Sequence, residues 1–141
     1  MRILKSVKTI QELNLAYGFK GDVMIYTTLK DFELFKKEAN KWIDRLGLLE
    51  WEVIYYHAPI DADADCTSFR NAKTIILRLN KKINNRDKTK YCYIKESAQH
   101  EVFHVLLENL YHQAVDRAFC DEDYRIEEHA IIHRLQKAFK E

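Results

Sequence analysis

Lys95 to Val115 reads KESAQHEVFHVLLENLYHQAV, and how this stretch folds decides how the rest of the chain is read. Phe103, Leu106, Leu107, Leu110 and Tyr111 recur without a glycine or proline to interrupt them. That pattern predicts one long helix from about Lys95 to Val115, apolar on most sides and placed in a core. Set into it are His100, Glu101 and His104. Residues four apart lie one helical turn above each other, so both imidazoles can present themselves to a single ion. Glu101 points roughly 100° round the helix from His100, which suits a base beside a metal better than a ligand on it. Two histidines and a glutamate at the edge of an apolar face are costly to desolvate without a partner. The plainer alternative is a pair of ordinary hydrogen-bonded histidines.

Outward from this helix, the order of elements predicts an α+β fold. Val23 to Thr27 reads as a short strand, and Thr28 with Asp31 can cap a helix. Phe32, Phe35, Ala39, Trp42, Ile43 and Leu46 then recur at helical spacing, and Gly47 supplies a left-handed terminus. Trp51–Tyr56 and Thr74–Leu79 are β-branched and aromatic and read as strands, with a further strand near Cys66–Arg70. The polar run 81–90 reads as a loop, and a final helix is expected from about Tyr124 to Phe139. The strands are expected to form one small twisted sheet with the helices packed on one side. If the strand at 74–79 lies at its edge, an extended peptide can add to it by backbone pairing. Residues 1–20 give no clear assignment.

The 141 residues fit one domain, 1–141. Hydrophobic residues make up 47% and charged residues 32%, a globular composition, and the net charge of +1 supplies no global field for nucleic acid or an acidic membrane. Cys66, Cys92 and Cys120 form no close pair, as expected for reduced thiols in a cytoplasmic protein. No stretch approaches the roughly 20 apolar residues of a membrane span. Asp61, Asp63 and Asp65 imitate the start of a calcium loop, but Cys66 and Ala72 stand where it needs glycine and glutamate. No serine-hydrolase elbow or phosphate-binding loop is present.

The chemistry expected of His100, Glu101 and His104 is that of a catalytic zinc site, where three protein ligands leave one position for water. The ion lowers the pKa of that water to about 7, and a nearby carboxylate takes its proton. Glu101 is the expected base. Glu108 is a further turn along the same helix, about 5.4 Å beyond His104, so the third ligand should come from another element. In the final helix Glu128 is three, four and seven residues before Ile131, Ile132 and Leu135, and is expected on the inward stripe with them. Glu127 lies nearly 100° away, toward the edge of that stripe. An exposed carboxylate pair near the helix start, favoured by the macrodipole, is the alternative.

The His100-Glu101-x-x-His104 pattern followed by a glutamate on a downstream helix resembles the gluzincin branch of zincin metallopeptidases. More narrowly, the chain is similar to small metallopeptidases of phages and prophages and to SprT-like and ImmA/IrrE-type minimal zincins. Trp42 in the early helix, the Trp51-led strand, the Ile-rich strand before the motif helix and the Glu-x-x-apolar pattern of the last helix carry the resemblance, over about residues 30–140. It implies a zincin-like fold, Zn2+ as cofactor and hydrolysis of a protein or peptide substrate. It also implies His100, His104 and Glu128 as ligands and Glu101 as general base. The chain departs from the metzincin extension at Leu107 and Leu110, and from the usual downstream asparagine at Ile132. A zincin scaffold that binds without turnover is the alternative. A protease acting near DNA is a third reading, supported only by the basic run Lys81, Lys82, Arg86, Lys88 and Lys90.

Overall fold

Thr28 begins the first helix by a reciprocal cap: its hydroxyl accepts from the Asp31 amide, and the Asp31 carboxylate accepts from the Thr28 amide at 2.8 Å. The computed structural model describes residues 23–85, 88–116, 118 and 120–140. The unassigned stretch 1–20 lies outside them. The elements in order are β1 (Val23–Tyr26), α1 (Leu29–Leu46), β2 (Glu52–His57), β3 (Ala64–Phe69), β4 (Thr74–Leu79), β5 (Lys82–Asn85), α2 (Lys90–Val115) and α3 (Asp121–Ala138). Gly47 ends α1 at φ 64°, in the left-handed region where a side chain is disfavoured. The α+β class is therefore present.

The strands form two sheets among the described residues, where one was expected. β4 is central to the larger, with β2 parallel on one side and β3 antiparallel on the other, and β1 pairs antiparallel with β5 in the smaller. The condition that β4 lie at a sheet edge is not met: both its edges are paired, and no peptide can add to it. β3 is an outer strand instead. The polar run 81–90 also differs from expectation, since it contains β5 and the start of α2. Only Ile83 in β5 is apolar, and it is fully buried; the strand exists because β1 pairs with it and because the Asn84 amide donates to Asp63. α2 starts at Lys90 because Thr89 caps it, accepting from the Cys92 amide at 3.2 Å.

The core lies between the inner face of the larger sheet and the helices. Ile75, Leu77 and Leu79 of β4 are buried, as are Phe35 and Ala39 of α1 and Ile94, Ala98, Val102 and Val105 of α2. Trp42 joins all three helices. Its ring meets Phe103 of α2 edge-on at 5.7 Å and Phe139, just past α3, at 6.0 Å, while its Nε1–H donates to buried Glu38. Arg134 of α3 donates to the Leu46 carbonyl at 3.1 Å and to the Gly47 carbonyl, closing the open end of α1.

Candidate functional site

α2 has two working faces. Ile94, Ala98, Val102, Val105 and Leu106 look into the core. His100, His104, Leu107 and Tyr111, spaced three or four apart, look across a cleft toward β3. Glu101 stands between the two faces and is only 7% exposed. The cleft wall opposite is β3, through Ala64, Asp65, Cys66 and Ser68. Beyond β3 no strand pairs with its outer edge among the described residues.

The expected residues His100, Glu101 and His104 share this cleft. The two Nε2 atoms stand 3.2 Å apart, with the rings at 76° to each other. On a helix the Cβ atoms of such a pair are about 5–6 Å apart, so both side chains bend toward one point. Donors around a tetrahedral zinc, with bonds of about 2.0–2.1 Å, stand roughly 3.3 Å from each other. The pair is thus spaced as two ligands of one ion would be; a shared proton is the only other way for two imidazole nitrogens to meet so closely. Burial holds the Glu101 carboxyl above the usual carboxylate range, opposed by His100 and His104 and helped by Asp65. A carboxylate so placed is a stronger base than one in water. Cys66, facing Glu101 and Glu108, has its thiol pushed up to about 12, first by burial and then by those carboxylates, so it stays protonated.

Among the described residues no three His, Cys, Asp or Glu side chains stand together as a metal-holding group. The carboxylates of α3 remain apart from the histidines. The helix also has a different phase from that expected: Ile132 and Phe139 are 43% and 60% exposed, and Glu128 is exposed. The partly buried stripe instead runs Tyr124, Glu127, Ile131, Arg134, Leu135 and Ala138. The rotation follows from Arg134, whose bonds to the end of α1 turn its own stripe inward and carry Ile132 out. Glu127 lies on that inward stripe, and Tyr124 one turn before it lines the cleft. His129 and His133 face a groove on the other side of α3.

Sequence reasoning missed Cys66, Glu108 and Tyr124 as cleft residues. Tyr124 was legible as part of an apolar stripe; the placing of Cys66 depends on β3 lying across α2, which no local pattern encodes. The basic run is largely engaged within the chain: Lys90 pairs with Asp31 at 2.8 Å, Lys88 with Glu96, and Lys82 sits over the Tyr26 ring. No helix among the described residues is long and apolar enough to cross a membrane. Comparison with known protein families, curated proteins and solved structures finds no match to this chain.

Proposed function

We propose that the chain is a zinc-dependent metallopeptidase whose working cleft lies between α2 and β3. The single observation that carries this reading is the convergence of His100 Nε2 and His104 Nε2 to 3.2 Å beside the buried Glu101. His100 and His104 would hold the ion, with a third donor from α3. Between its adjacent carboxylates the burial favours Glu127 over the exposed Glu128. Zinc, when bound, supplies Lewis acidity to water and to the carbonyl under attack.

The rest is the work of this chain. Glu101 accepts the proton of the attacking water and, once protonated, can pass it to the leaving amine. Its position on the cleft side of a packed helix fixes its distance to the histidines, because Ala98, Val102 and Val105 around it are locked in the core. β3 offers an unpaired edge along the cleft among the described residues, so an extended peptide can lie against it by backbone pairing. This role passes to β3 from β4.

Metal analysis of the purified protein should give one zinc per chain. His100→Ala and His104→Ala should each abolish that stoichiometry, while Glu101→Gln keeps the metal and loses hydrolysis. Full occupancy in both histidine variants would sink the site. Undiminished turnover in Glu101→Gln would remove its role as base. A loaded wild-type protein that cuts no peptide would leave the scaffold as a binding module.

A further inference from the structure

From His104 onward α2 runs about three more turns, and its cleft side changes character. Leu107 is 44% and Tyr111 64% exposed, with Leu110 and Ala114 beside them and Tyr124 of α3 closing the end. Together with β3 they enclose a cavity of about 750 Å³ that opens directly onto His100, Glu101 and His104. A smaller cavity of about 300 Å³ continues past His100 in the other direction, lined by Asp63, Glu96 and Ser97 among others. The large apolar side chains of the cleft, Leu107, Leu110 and Tyr111, all lie on the α3 side of the histidines.

Apolar side chains this exposed beside a group of converging polar ones mark a ligand subsite. The charges on its walls are of one sign. Asp65, Glu101 and Glu108 line the larger cavity and no lysine or arginine does. Asp65 is neutralised by Arg78 through two hydrogen bonds. Glu108 has no ion-pair partner among the described residues, and it sits one turn beyond His104 between the histidines and the apolar end.

We infer that this cavity selects the substrate: a peptide with a large aromatic or aliphatic side chain seated against Leu107, Tyr111 and Tyr124, next to a basic residue held by Glu108. The inference rests on the proposed hydrolase reading for its position but not for its test, because selection is measurable as binding. An apolar pocket distinguishes side chains by about 10-fold or more for each methylene or so of lost fit. A partly buried carboxylate at the cleft wall adds a smaller preference, about two- to fivefold for lysine over glutamate.

The test uses short fluorescein-labelled peptides, with Phe, Leu or Ala at one position and Lys or Glu beside it, titrated by anisotropy against Glu101→Gln with and without added zinc. The Phe-Lys and Leu-Lys peptides should bind at least about tenfold more tightly than Ala-Lys. Ala114→Trp, added at an exposed position, should fill the cavity and bring the Phe and Leu peptides down to the alanine level. Glu108→Lys should reverse the preference between Lys and Glu. Equal binding of all the peptides overturns the inference, and leaves the hydrolase reading intact if the wild type still cuts them. Selective binding without any turnover by the wild type supports the inference and removes the hydrolase instead.

Discussion

Replacing Arg134 by methionine keeps an apolar stem and removes the guanidinium. That group donates to the Leu46 and Gly47 carbonyls at the end of α1 and pairs with Glu50 at 3.3 Å. A charged hydrogen bond is worth about 1.5–3 kcal/mol when well sheltered, and the side chain here is 32% exposed, so each carbonyl bond is discounted to about 1 kcal/mol. The charge also opposes the negative end of α1, at about 0.5 kcal/mol, and the Glu50 pair contributes less than that. The expected loss is about 2–3 kcal/mol, read as a lower urea midpoint at unchanged slope. Arg134 and Glu127 are seven residues apart on one face of α3, so the loss should reach the site too. Freed from α1, the helix can turn, and zinc affinity in a chelator competition should fall about tenfold or more. Arg134→Lys keeps the charge without the fork and should recover part of both losses. A stability change under about 0.5 kcal/mol with zinc affinity intact would refute the reasoning, since the phase of α3 would then be set elsewhere.

Glu127→Ala should weaken zinc binding by orders of magnitude, and Glu128→Ala by about tenfold at most; a larger loss in Glu128→Ala would return the ligand role to the exposed position. His57 carries the expected pH dependence. Its Nε2 lies 2.7 Å from the Thr27 hydroxyl, which itself donates to the Asn80 carbonyl, so the imidazole N–H is the donor. Burial first and Lys81 second hold its pKa below the usual histidine value, against the pull of Asp31. Between the lowered folded pKa and the ordinary unfolded one, the unfolded chain binds the proton and the folded chain does not. Stability should therefore fall as pH drops through that window, and His57→Gln should flatten this part of the curve in urea titrations. A variant as acid-sensitive there as the wild type would assign the effect to other groups.

Local chemistry made much of this fold legible. The Thr28–Asp31 cap, the Gly47 terminus and the strand at Thr74–Leu79 are encoded in adjacent residues, and the structure has them. His100, Glu101 and His104 were legible for the same reason, because helix geometry alone brings them together. What failed depended on distant partners. Lys82–Asn85 has no strand signature beyond Ile83, and it becomes a strand only because Val23–Tyr26 pairs with it. The edge or centre of a sheet is decided by which strands lie alongside, so β4 could not be placed from its own residues. The phase of α3 turned on Arg134, a charged residue that counted against burial in the pattern and yet faces inward.

Glu101 shares its stretch of helix with Ala98, Val102 and Val105, side chains with almost no exposure, which leaves this small chain without separate territories for folding and for chemistry. In larger enzymes the working residues hang from loops that can drift while the scaffold stays fixed. Here a swap at Ala98, Val102 or Val105 that shifts α2 by a fraction of an ångström carries the base and both imidazoles with it. The sequence is thus poor ground for gradual change. Core substitutions that keep the chain folded should still register at the cleft, whereas the exposed positions of its far walls, Thr67 and Phe69 of β3 and Ala114 near the end of α2, can vary without disturbing the packing. Divergence in what the cleft accepts would be written there first.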